Sequence, residues 1–418
     1  MRSGTTPRSN RRGLASLTLA LVCLTHPLAA QGLHGRLQLQ DIYATESSRS
    51  LAAQIGLPRR NDRTGELRLA WSPHLGAWRF DAAYVVGFIW GDGPSYSPLA
   101  SLSAAPPLTW WNLSNQFVAQ KHLIATQRID RLSIAYTATH VVLKLGRQAL
   151  TWGAGIIFHP MDLFDPFAPD AIDTEYKPGT DMLYGQYLFD DGSDLQAVIV
   201  PRPAQEGGGL AVNASSFALH YHGSIGPYQT TLLVARDRGD VVAGLGFNGT
   251  LGGASWNAEI VPTFVHSAGT YTSLLFNLSD ADTLWAHDVT GFAEYFRNGF
   301  GVSSRYYLLS QLPAPLVDRL QRGQVFTTGR DYLALGAQLQ LTALLQFSPT
   351  LISNLDDHSL YALAEATYSL SDNLNLVIGA QLPMGPARTE FGGLPVLQPA
   401  APYLEQPSRL YIALRRYF

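Results

Sequence analysis

Between positions 162 and 177 the chain places Asp162, Asp165, Asp170, Asp173 and Glu175, closed by Lys177. Held in a water-filled passage, such acids make a negative field. Opposed by Arg36, Arg79 and Lys144 on a facing wall, that field would order water and select solutes by charge and dipole. Oxygen-rich clusters also suit calcium, but this spacing is not an EF-hand and lacks its glycine and terminal glutamate, so no metal is expected. The plainer reading leaves the acids on a solvated loop with no specific task. Arg147 and Gln148 stand upstream. Arg147, opposite in strand parity to Lys144 and Gln148, is placed to anchor the segment by pairing with one of its carboxylates.

Glu259 and Glu294 lie in alternating apolar stretches, where a carboxylate facing lipid would be costly, so both are expected to face an interior lumen. Catalysis finds little support. His287-Asp288 and Asp357-His358 are adjacent pairs, but neighbouring strand residues point to opposite faces and cannot couple directly. His220 and His222 share a face at metal-pair spacing without an assignable third ligand. No catalytic residue and no cofactor are expected.

These side chains must be positioned by strands. Leu374, Leu376, Ile378 and Ala380 face one way and Asn373, Asn375, Gly379 and Gln381 the other; Leu360 to Tyr368 and Leu333 to Leu341 repeat the design. Eighteen strands are read near 33–43, 65–72, 76–89, 129–137, 140–149, 183–190, 194–201, 215–223, 226–236, 239–248, 253–264, 271–279, 284–297, 330–341, 344–353, 358–370, 373–383 and 408–418. Every even-numbered connection is tight. The long ones, near 44–64, 90–128, 150–182, 202–214, 298–329 and 384–407, are all odd-numbered. A short helix is expected around 316–322. This is the pattern of an all-β, antiparallel, up-and-down transmembrane β-barrel of about 16–18 strands, with short periplasmic turns, longer outward loops and both termini in the periplasm. A barrel of that size encloses water rather than a packed core.

The two ends agree. Arg2, Arg8, Arg11 and Arg12 precede an apolar run from Leu14 to Leu24 and the small residues Ala29-Ala30, which reads as a signal peptide over 1–30, leaving 31–418 as the barrel. Cys23, the sole cysteine, lies inside that leader, so no disulfide framework is available to the rest. The final strand alternates Leu410, Ile412, Leu414 and Phe418 against Tyr411, Ala413, Arg415 and Tyr417 and stops on an aromatic residue, as strands offered to the outer-membrane barrel-assembly machinery do. After the leader no apolar run reaches the roughly 18 residues of a membrane helix. The composition is 46% hydrophobic and 15% charged, which suits strands apolar at every second residue. Net charge is −3, hence near −7 once the four leader arginines are set aside, which argues against a nucleic-acid partner.

Gly146-Arg147-Gln148, three residues, then Trp152-Gly153 resembles a segment of several porin-like outer-membrane families, alginate-export and related uncharacterised barrels among them. The resemblance implies that the loop over 150–182, following the fifth strand, folds into the lumen and narrows it, with Arg147, Gln148, the five acids and Lys177 at the constriction. The expected function is passive diffusion of small hydrophilic or charged solutes across the outer-membrane lipid. A non-conducting receptor or adhesin, or a hydrolase at the rim, is the alternative. The absence of an amino-terminal plug domain argues against an energy-coupled transporter. Whether three barrels associate as a homotrimer is left open by the sequence.

Overall fold

The computed structural model describes residues 32–96, 108–205, 207–284, 286–397 and 402–418; the expected signal peptide lies outside the described residues. Eighteen strands form the wall: β1 (Leu33–Thr45), β2 (Arg59–Trp71), β3 (Trp78–Gly91), β4 (Leu123–Thr137), β5 (Val141–Gln148), β6 (Thr180–Leu188), β7 (Asp194–Val200), β8 (Ser216–Ile225), β9 (Tyr228–Asp237), β10 (Asp240–Leu251), β11 (Ala254–Val265), β12 (Gly269–Leu284), β13 (His287–Arg297), β14 (Asp331–Thr342), β15 (Leu345–Asn354), β16 (Leu360–Ser371), β17 (Leu374–Met384) and β18 (Ser408–Tyr417). Each pairs antiparallel with the next, and β18 returns to β1 from Arg36↔Tyr417 to Thr45↔Ser408, so the eighteen-strand wall closes on itself. This is the up-and-down barrel expected from the alternation, at the upper end of the expected strand number.

The alternation also fixes the two faces. On β18, Leu410, Ile412 and Leu414 are exposed outward while Tyr411 and Ala413 are buried inside; on β7 to β9, Leu195, Ile199, Leu219 and Val234 are outside and Val198, Ala218 and Leu233 inside. Aromatic side chains gather at both rims of the apolar band. Trp78 against Tyr136 (5.0 Å) and Tyr228 against Trp256 (5.7 Å) mark the short-turn rim, and Phe88, Trp90 and Phe117 the loop rim. Among the described residues no helix is long and apolar enough to cross a membrane.

One break in the wall sets up the interior. β4 has 15 residues but β5 only 8, and their pairing stops at Leu132↔Arg147. Beyond that point β4 pairs instead with a rim strand, Ser114–Gln120, contributed by the preceding connection. β5 therefore leaves the wall early and delivers residues 149–179 into the lumen rather than above it. Gly146 permits this close join. Its φ of 122° is one L side chains rarely adopt, and a Cβ there would stand 2.2 Å from the Leu132 carbonyl oxygen.

Candidate functional site

Residues 149–179 make nearly a full circuit of the inner wall. The outgoing leg turns first to β7 and β8, where the Trp152 indole donates to Gln196 Oε1 (2.8 Å) and stacks on His220 at 4.8 Å. That contact uses His220 for packing, so it does not form a metal pair with His222. Next the loop backbone meets two wall carboxylates. Glu259 on β11 accepts from Ala154 N (2.7 Å); Glu294 on β13 accepts from the N–H groups of Ile156 (2.6 Å), Ile157 (2.9 Å) and Phe158 (2.8 Å), with Asn277 of β12 bridging Ala154 O and Glu294. Both glutamates are buried where the loop backbone meets the wall. Gly153, with φ of 89°, lets the chain pass so close to Glu259 that a Cβ would sit 3.2 Å from its Oε1.

The return leg is held by cations. Asp170 meets Arg409 (3.3 Å) and its carbonyl accepts from Gln381; Asp173 and Glu175 both pair with Arg36 (2.5 and 2.8 Å); Tyr417 donates to Glu175 (2.8 Å). Tyr176 lies between two guanidinium groups, Arg36 at 4.8 Å and Arg68 at 4.4 Å. Lys177 Nζ reaches Asp162 (2.5 Å), Leu150 O and Thr151, and Thr180 donates to Asp165. Burial pushes the Asp162 carboxyl up to about 6 despite the adjacent ammonium, and the same burial lowers Lys177. Their attraction is largely spent on desolvation, so the pair fixes the loop's geometry more than it adds stability.

The expected arrangement needs three corrections. The acids do not cluster: Asp162, Asp165 and Asp170 are held by Lys177, Thr180 and Arg409, and Asp173 and Glu175 share Arg36, so the oxygen-rich site weighed for calcium is not assembled, and among the described residues no group of three or more potential ligands forms. Arg79 and Lys144 do not face the loop. Both are drawn to Asp81 of β3 (2.8 and 3.4 Å), which the strand's alternation puts on the same polar face as Arg79, so of the three expected cations only Arg36 meets the loop acids. Arg147 is not in the lumen at all. It shares parity with Leu143 and Leu145, both exposed on the outer face, and pairs bidentately with Asp181 of β6 (2.8 and 2.9 Å) beneath Trp111, whose carbonyl it also bonds. Gln148 contacts the Met182 carbonyl (3.4 Å), launching the loop rather than lining an aperture.

The Arg147–Asp181 pair gives a stability prediction. Asp181→Leu alone strands a buried guanidinium and is expected to destabilise by about 3–5 kcal/mol, whereas Arg147→Met with Asp181→Leu recovers most of it. Thermal midpoints of the refolded variants test this; equal losses in single and double variants would sink it.

The loop divides the lumen unevenly. Toward β6 to β11 it packs a dry cluster of Trp152, Met161, Phe164, Met182, Val198 and Leu233, and toward β13 to β16 Phe158 joins Phe296, Tyr332, Ile352 and Tyr361. Toward β18 and β1 to β5 the side chains are charged and partly solvated: Arg128, Lys144, Arg409, Glu66, Asp170, Asp173 and Glu175 each keep about a quarter to two-fifths of their exposure.

No protein-family model and no curated protein matches this chain. Among solved structures it resembles outer-membrane porin-like barrels over most of its length. Wzi from Escherichia coli, described as an outer-membrane protein involved in group 1 capsule assembly and a carbohydrate-binding β-barrel, aligns at TM-score 0.54 with 9% identity over 96% of this chain and 87% of its own. Pseudomonas aeruginosa OccK5 (OpdH) gives 0.54 with 9% identity over 93% and 98%. Acinetobacter baumannii OccAB1 gives 0.52 with 10% over 92% and 96%. At these identities the likeness is one of fold.

Proposed function

We propose that the protein is an outer-membrane porin-like channel through which small hydrophilic or charged solutes diffuse passively, narrowed by residues 149–179. The observation that carries this reading is the uneven lumen: one side is dry, while the β18 and β1 to β5 side keeps solvated charges beside the loop's return leg. Water and solute pass on that side, along the partly exposed side chains of Asp170, Asp173, Glu175, Arg128 and Arg409. Residues 1–30 direct export, the short-turn rim with both chain ends faces the periplasm, and β18 is the strand offered for assembly. Lipid covers the outward band of Leu, Ile, Phe and Trp.

Acids and bases alternate around this passage and nearly all are paired, so selectivity between small anions and cations is expected to be weak. Refolded protein in a planar bilayer under a salt gradient should conduct in discrete steps, with a reversal potential close to that of free diffusion. A strong preference for either ion would show that unpaired charges dominate the aperture. A second reading has one observation in its favour, the loop's nearly complete circuit: a closed barrel acting as a receptor or adhesin. Folded protein that never conducts would favour it over the channel.

A further inference from the structure

β9 and β10 close at Asp237↔Asp240 through a two-residue turn, Arg238-Gly239, whose φ angles are 49° and 92°. Such a turn favours Asn-Gly, because a long side chain in the left-handed region is strained. Strain of this kind is a pointer to function. What it delivers here is a guanidinium at the loop rim, where Arg202, Arg319 and the Arg322 that caps α1 (Ala314–Gln321) gather around Asp237 and Asp240.

The acids of this cluster are already engaged. Asp237 accepts from Ser216 and Gln324, with Arg202 at 3.8 Å and Arg319 at 3.9 Å; Asp240 pairs with Arg319 and lies 3.7 Å from Arg322; Asp318 takes the other edge of Arg322 at 2.6 Å. Arg238 is left over. Among the described residues its guanidinium has no hydrogen bond and no carboxylate within ion-pair distance, and its Nε is buried; Arg322 Nη1 is likewise buried without a hydrogen bond. Burial, then the neighbouring Arg202, push the Arg238 guanidinium down to about 10 against the smaller pull of Asp237 and Asp165. Buried nitrogens without an acceptor are rare, and two in one cationic cluster call for a negative guest.

There is room for a small one. Arg238 is half-buried, the Arg322 side chain keeps 19% of its exposure, and a Cβ built on Gly239 would meet the Asn213 carbonyl oxygen at 3.8 Å and nothing nearer among the described residues. An oxyanion there displaces water rather than side chains.

We propose that Arg238, with Arg202 and Arg322, binds a phosphate group at the loop rim of the lumen. Three guanidinium groups carried by three separate elements suit the several acceptor oxygens of a tetrahedral phosphate better than the two of a planar carboxylate. The phosphate belongs to a solute rather than to a lipid, because Ser216 and Asp237, which border the site, share the inward face with Ala218 and Ala235. The site lies on the dry side, away from β18 and β1 to β5, so the inference does not depend on whether the lumen conducts.

Isothermal titration calorimetry on the full refolded barrel in lipid nanodiscs at low ionic strength tests it, with inorganic phosphate as probe and acetate as comparison. Phosphate should bind saturably and acetate at least tenfold more weakly. Arg238→Asn removes the guanidinium yet suits the turn, so it should weaken phosphate at least tenfold with a thermal midpoint equal to or above that of the wild type. Arg236→Gln, on the outward face of the same strand, should bind as the wild type does. No saturable heat with phosphate, equal affinity for acetate, undiminished binding in Arg238→Asn, or the same loss in Arg236→Gln overturns the proposal. Competition by lipid A added to the nanodiscs would give the site to a lipid headgroup and overturn its assignment to a solute.

Discussion

Deleting residues 157–176 is expected to raise the single-channel conductance of the refolded barrel several-fold and to shift its selectivity toward anions. The first effect follows from the circuit the loop makes, since the deletion removes the chain between Phe158 at the β13 to β15 wall and the Arg36 pairing on β1. The second follows from composition. The deleted segment carries Asp162, Asp165, Asp170, Asp173 and Glu175 and no lysine or arginine, so Arg409 and Lys177 lose their carboxylate partners and Arg36 keeps only Glu66 of the wall, which leaves a net positive change at the passage. The barrel should survive, because every ladder pairing of β5 and β6 lies outside the deletion. A planar-bilayer recording under a salt gradient reads both effects. Folded protein with unchanged conductance would mean that these residues do not limit passage, and a shift toward cations would mean that Glu259 and Glu294, uncovered by the deletion, outweigh the freed arginines.

The fold was legible because lipid on one side and a polar lumen on the other leave a period-two record in every strand, and because turn length alternates with strand parity. Where that record fails, the reading fails for the same reason. β2 begins at Arg59 and β4 at Leu123, each six residues before the expected start, since the rim stretches such as Arg59 to Thr64 rise past the apolar band and carry no lipid-facing residue. The rim strand Ser114–Gln120 was missed because a bulge between Gln116 and Val118 puts Phe117 and Val118 side by side and breaks the alternation. At the site, residue type suggested location but not partner. Glu294 reads as an inward carboxylate, yet its bonds to residues 156–158 span more than 130 positions and leave no local trace. The Gly146-Arg147-Gln148…Trp152-Gly153 segment marks how the loop is launched: a glycine pressed on β4, an arginine clamped outside the wall, a tryptophan stacked inside it, and a glycine bending past Glu259.

Glu294→Ala is expected to release the loop from the wall while leaving the barrel closed. Three backbone N–H groups, from Ile156, Ile157 and Phe158, would lose an acceptor whose own side chain is fully buried, at about 1–3 kcal/mol for each that stayed out of reach of water. That sum exceeds what the Phe158 ring, fully packed against Phe296, contributes at roughly 1.5–3 kcal/mol, so the segment leaves its seat and water enters. Glu294→Gln is not a mild change here. Its amide oxygen can accept from two of the three donors, but its NH2 would meet the third, donor against donor, so an intermediate effect is expected. Glu259→Ala strands one backbone N–H, that of Ala154, besides a long contact from the Asn257 amide (3.5 Å), and should be the weakest. The order Glu294→Ala, Glu294→Gln, Glu259→Ala, wild type should therefore hold for protease cleavage within residues 150–160 and for open-channel noise, with β13 to β14 pairing intact throughout. If Glu294→Ala instead keeps a protease-resistant loop and wild-type currents, packing of the dry clusters is what seats the loop, and the wall carboxylates only follow it.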